Sequence, residues 1–183
     1  MTKMPSIARR GLAAAASVFL IAIAVSGAPG QTTLTDPPAK LADFHGAWVG
    51  HSVPGSVDDR AATVNIQPLD SGGFTVTWSS FEGESEGARR KVMARERTMR
   101  FEPSGRSGVW RGAGSRDPVR GPASWARLHD RSLTVNLVQV TDDGQLEQQV
   151  YERTLTSRGL RLSYRRLLDG KVTRTLELEY LKL

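Results

Sequence analysis

Residues 160–183 read LRLSYRRLLDGKVTRTLELEYLKL, and their reading decides the fold. Leu160, Leu162, Tyr164, Arg166 and Leu168 alternate before Asp169-Gly170-Lys171, and Val172, Arg174, Leu176, Leu178 and Tyr180 alternate after it. A period of two puts each set on one face of a strand. Both faces can be buried together only in one register, which demands a three-residue turn with Gly170 in the left-handed position. Leu162 then lies opposite Leu178, Tyr164 opposite Leu176 and Arg166 opposite Arg174.

The same step taken backwards through the turn at 156–159 sets Leu155 opposite Leu160, Tyr151 opposite Tyr164 and Gln149 opposite Arg166. One strand further out, Leu133, Val135, Leu137 and Gln139 join the inner face. Across the sheet this face is layered. Leu133, Leu155, Leu160 and Tyr180 form one row, Leu137, Tyr151, Tyr164 and Leu176 a second, and Gln139, Gln149, Arg166 and Arg174 a polar third. Two facing arginines repel unless a carboxylate, a phosphate or bulk water relieves them. The polar row therefore reads either as the wet, open end of a barrel or as a mouth that grips an anionic head group above an apolar body. Arg153, between the two apolar rows on the same face, favours the second reading.

The rest of the chain repeats this pattern. From residue 41 onward no stretch of ten residues has helical apolar spacing. Short runs alternate with turn signals such as Asp70-Ser71-Gly72-Gly73, Pro103-Ser104-Gly105 and Asp142-Asp143-Gly144. Candidate strands are 46–53, 61–69, 73–80, 89–101, 108–112, 123–129, 132–140, 145–155, 160–168 and 172–183. Consecutive hairpins make a meander, so the expected fold is all-β: a single antiparallel barrel of about 8–10 strands. In residues 91–101 neither face is cleanly apolar, which marks an edge strand or one lining a wet cavity.

Ahead of this domain, residues 1–10 carry Lys3, Arg9 and Arg10 and no carboxylate. Residues 11–25 (GLAAAASVFLIAIAV) are uncharged and apolar, and Ser26-Gly27-Ala28 are small. That order is the order of a secretory signal, and the run is too short for a spanning helix. Arg9-Arg10 leaves general secretion and twin-arginine export both open. The expected organisation is a signal at 1–28, a disordered leader at 29–40 interrupted by Pro37-Pro38, and a β-barrel domain at 41–183, with a secreted or periplasmic address.

Of the 183 residues 39% are hydrophobic and 24% charged, a folded globular composition. Cys is absent, which excludes disulfides, thiolate metal sites and Cys nucleophiles. Removing the signal takes Lys3, Arg9 and Arg10 with it, so the net charge falls from +6 to +3. What remains is uneven: −6 over 29–88, +8 over 89–131 and +1 over 132–183. The basic block interleaves arginines with Trp110 and Trp125, a composition that also suits single-stranded nucleic acid. An exported protein rarely meets nucleic acid, so the expected partner of this block is solvent, its own carboxylates or an anionic envelope surface, and no nucleic acid.

Gly46-Ala47-Trp48 opens the first strand. With this Gly-x-Trp and a following meander the mature domain resembles the lipocalin-like (calycin) β-barrels, which close around a small-molecule cavity. The resemblance implies a structural role for Gly46 and Trp48, with the Trp packed under an Arg from the barrel end, a place for Arg166 or Arg174. The chain lacks that family's Thr-Asp-Tyr loop motif, its C-terminal helix and its disulfide pair.

Catalytic patterns are thin. His45 and His51 flank Trp48, but no third metal ligand can be named, and no Gly-x-Ser-x-Gly or glycine-rich phosphate loop occurs. Asp58-Asp59 and Asp142-Asp143 are neighbours whose side chains point apart in extended chain. No enzymatic activity, metal or cofactor is therefore expected. The expected function is binding of a small amphipathic or anionic ligand by Gln139, Gln149, Tyr151, Arg153, Tyr164, Arg166 and Arg174. The alternative is an envelope interaction or structural protein without a cavity, and the sequence carries no sign of oligomeric state.

Overall fold

A computed structural model describes residues 37–52, 61–82 and 93–183. The expected signal and most of the expected leader lie outside the described residues, as do Val53 and residues 89–92 of the expected strands. Ten antiparallel strands follow one another: β1 (Gly46–Ser52), β2 (Ala61–Pro68), β3 (Phe74–Glu82), β4 (Met93–Pro103), β5 (Val109–Gly112), β6 (Ala123–His129), β7 (Ser132–Val140), β8 (Leu146–Thr156), β9 (Gly159–Leu168) and β10 (Lys171–Lys182). Each pairs with its neighbours in sequence, and β1 pairs with β10, so the sheet closes into a barrel. Closure removes both open edges, which a meander of this length would otherwise expose.

The β8–β9–β10 register matches the sequence reading at Leu155–Leu160, Tyr151–Tyr164, Gln149–Arg166, Leu162–Leu178, Tyr164–Leu176 and Arg166–Arg174. The β9–β10 turn differs from the one expected. Leu168 pairs with Lys171 across a two-residue turn, and Asp169 and Gly170 both have positive φ, 48° and 76°. An Asp-Gly pair of that geometry is the hairpin turn whose twist suits antiparallel strands. A bulge between Val172 and Arg174 then takes up one residue and restores the predicted pairing.

Between β7 and β8 the pairing lies two residues from the expected one. Leu133 faces Arg153, Val135 faces Tyr151, Leu137 faces Gln149 and Gln139 faces Glu147. The cause is the tight loop at 141–145, where the Thr141 amide donates to the Gln145 carbonyl at 2.9 Å and the Gln145 amide donates to Thr141 Oγ1 at 3.1 Å. A shift of two keeps every side chain on its face, so the core survives while the rows slide past each other.

One end of the barrel is shut. A 3-10 turn at Leu41–Phe44 packs the fully buried Phe44 beneath Trp48, whose Nε1 donates to the Phe44 carbonyl at 3.0 Å. Ala39, within the expected leader, is also held: its amide donates to the Asp130 carbonyl at 2.8 Å. Phe74 stacks on Phe101 at 5.0 Å and meets Trp110 edge-on at 5.4 Å. Trp110 of the basic block is thus half-buried and packed against the core, while Arg100 and Arg120 pair with Glu102 and Asp117.

The wall is uneven at the opposite end. β5 has four residues and pairs with β4 through Phe101–Pro103, with one more backbone hydrogen bond from the Ala113 amide to the Arg100 carbonyl, so residues 93–99 of β4 have no ladder partner on that side among the described residues. A cleft of about 390 Å³ opens there, lined in part by Arg97, Met99, Ser124 and Leu137. Of the two readings of residues 91–101, a strand lining a cavity agrees with that arrangement, whereas β4 is not an edge strand, because it pairs with both β3 and β5 in the closed barrel.

Candidate functional site

Alternation along β8 directs Glu147, Gln149, Tyr151, Arg153 and Leu155 into the barrel. Arg153 stands among core residues, 1% exposed, where Leu133 and Leu162 are its register partners. Its guanidinium carbon lies 5.6 Å from the centre of the Tyr151 ring and 5.9 Å from that of Trp78. Its Nε and Nη1 are buried with no hydrogen-bond partner among the described residues. Burial lowers its pKa, and Tyr180 and Tyr151 act in the opposite direction. An arginine keeps its proton in a protein, so the charge stays.

Magnitudes then decide what this arrangement lacks. Removing a guanidinium from water costs several kcal/mol; a ring beneath it returns about 0.5–1 kcal/mol where exposed and about 2 kcal/mol or more where desolvated, but supplies no hydrogen-bond acceptor. Two rings flank the charge, and two of its nitrogens have no acceptor among the described residues. Among the described residues no carboxylate or other anion pairs with it.

Space for one adjoins it. A cavity of about 160 Å³ is lined by Arg153, Trp78, Tyr151, Tyr164, Leu176 and Arg174, with Leu162, Leu178 and Tyr180 at its inner end. The rings are mutually packed, Trp78 to Tyr151 at 5.2 Å and Tyr151 to Tyr164 at 4.7 Å. Burial pushes the Tyr151 phenol up to about 12 despite Arg97 and Arg153 nearby, and raises those of Tyr164 and Tyr180. All three are neutral donors at physiological pH.

The polar end is wired differently from the row expected. Tyr151 donates to Gln149 Oε1 at 2.8 Å, Gln149 Nε2 donates to Glu147, and Arg166 Nη2 donates to Glu147 Oε2 at 2.7 Å. Gln139 is the register partner of Glu147 on β7 and also acts to lower its pKa. Burial pushes the Glu147 carboxyl up, but Arg166 and Gln149 outweigh it and hold it below its ordinary value. Arg166 is correspondingly raised by Glu147. Arg166 is thus neutralised within the protein, whereas Arg174 opposite it pairs with no carboxylate among the described residues.

The structure therefore brings Tyr151, Arg153, Tyr164 and Arg174 to one cavity and sets Gln139, Gln149 and Arg166 around Glu147. Sequence reasoning missed Glu147, although its parity with Gln149 placed it on the inner face. It also missed Trp78, whose place depends on β3 lying across the barrel from β8.

Trp48 takes a different cation from those expected. Lys182 Nζ sits 5.2 Å from its ring centre, because Lys182 is its register partner while Arg166 and Arg174 lie at the other end. Gly46 has a φ of 121°, and a Cβ there would meet Lys182 Cε at 2.9 Å. His45 is half-buried beside this lysine and its pKa is lowered, by burial first and Lys182 second.

In architecture the closed ten-stranded meander agrees with a calycin-like barrel. In comparisons with protein-family models, curated proteins and solved structures, nothing matches this chain.

Proposed function

We propose that the protein is an exported binder of a small amphipathic anion, held inside the barrel with its acidic head on Arg153. The observation that carries the reading is a buried guanidinium with two nitrogens unpartnered among the described residues, on an arginine that lines an aromatic cavity. A carboxylate there supplies the missing charge and acceptors, and Trp78, Tyr151, Tyr164 and Leu176 receive an apolar body. Tyr180, beside Arg153, offers a neutral phenol to the same head group.

Native mass spectrometry of the mature chain, purified without detergent from the cells that make it, tests this. The expected result is a discrete added mass that disappears on denaturation and is missing from the Arg153→Met variant. A bare mass, unchanged after incubation with lipid and metabolite extracts, overturns the reading in favour of an interaction module.

A further inference from the structure

We infer that the ligand is a two-headed acid, a dicarboxylate with an apolar spacer whose inner carboxylate meets Arg153 and whose outer carboxylate meets Arg174. This rests on the reading of Arg153 as an anion site and adds the chemistry of the far end. One cavity is lined by both arginines, and the wall between them, Trp78, Tyr151, Tyr164 and Leu176, is aromatic and aliphatic. Arg153 is level with Leu162 and Leu178, and Arg174 lies four residues along β10 from Leu178. At strand spacing that is about 13 Å along the barrel wall. The cavity is thus an apolar sleeve with a cation at each end.

Charge at the mouth points the same way. Arg166 and Arg174 face each other in register, a repulsive pair unless neutralised. Glu147 neutralises one of them, Arg166, and each of its oxygens is already engaged, by Gln149 and by Arg166. Arg97, the register partner of Trp78, is near enough to act electrostatically on the Tyr151 phenol. Three arginines at this end, Arg97, Arg166 and Arg174, therefore stand against one inward carboxylate, Glu147. A single-headed acid bound to Arg153 would leave its uncharged tail beneath Arg174 and Arg97. A second carboxylate occupies that position with opposite charge.

The test compares octanoate with octanedioate, equal in chain length, on the whole mature chain, following tryptophan fluorescence. Octanedioate is expected to bind about tenfold more tightly, the worth of one charge-assisted pair. Arg174→Ala, on an exposed position, is expected to bring the ratio close to one, and Arg174→Lys to keep part of it. Equal affinities for the two acids, with both lost in Arg153→Met, overturn the second head group and leave the Arg153 site standing. Binding of neither acid, or binding that Arg153→Met does not weaken, overturns the underlying reading as well.

Discussion

Glu147 on β8 accepts a hydrogen bond from Arg166 on β9 at 2.7 Å, diagonal to the register pair Gln149–Arg166. The carboxylate is almost fully buried and the guanidinium is 40% exposed, so solvent screens the pair from one side only. Because the Glu147 carboxyl is held below its ordinary value, its contribution is complete above about pH 4.5 and is lost as pH falls through the lowered value. Glu147→Gln should lower stability at pH 7 by about 1 kcal/mol and flatten the acid limb. Urea unfolding at pH 7 and pH 4 measures both effects; an unchanged acid limb would sink this assignment.

All three tyrosines of the chain, Tyr151, Tyr164 and Tyr180, point inward and have raised pKa values. A phenol whose folded value lies above its unfolded one favours folding fully below about pH 10, and the benefit fades as pH rises toward 12. Tyr151 alone accounts for about 3 kcal/mol across that window. Ultraviolet titration of the native protein should show no phenolate step at pH 10, with phenolate signal arriving alongside alkaline unfolding. A step near pH 10 in the folded protein contradicts this.

Gly50 on β1 lies under the ring of its register partner Tyr180, and a Cβ there would come within 2.6 Å of Cδ1 and Cε1. Gly50→Ala should therefore cost about 1–3 kcal/mol by overpacking. Adding Tyr180→Leu should cost less in that background than in the wild type, a coupling that a double-mutant cycle reads directly. Strict additivity would show that the ring has room to move.

Phe44 plugs the shut end from a single 3-10 turn. Phe44→Ala should cost about 3–5 kcal/mol, as a cavity at a fully buried aromatic does. Denaturant unfolding checks it. A loss below 1 kcal/mol would mean that the turn is not part of the cooperative unit.

The last three strands were legible because their alternation leaves a single register that buries Leu160, Leu162, Leu178 and Tyr180 together. The β7–β8 pairing was less so. Asp142-Asp143-Gly144 marks a turn but not its length, and the Thr141–Gln145 hydrogen bonds that set it leave no apolar trace. Glu147 escaped notice because a carboxylate at the end of a strand reads as solvated until Arg166 is seen beside it. Arg153 was legible as an inward cation, but its lack of hydrogen-bond partners among the described residues depends on which side chains cross the barrel, and that belongs to tertiary packing. The Lys182–Trp48 contact follows from β10 closing on β1, a pairing that hairpin-by-hairpin reading does not reach.

Arg153→Met, compared with the wild type for unfolding free energy and octanoate binding, tests the central claim most directly. If the charge is held for a ligand, replacing it by an apolar side chain of similar volume should stabilise the unliganded barrel by about 1–4 kcal/mol. Octanoate should then raise the melting temperature of the wild type and leave that of the variant unmoved. A variant less stable than the wild type that still binds octanoate would contradict the account and make Arg153 a structural member of the core.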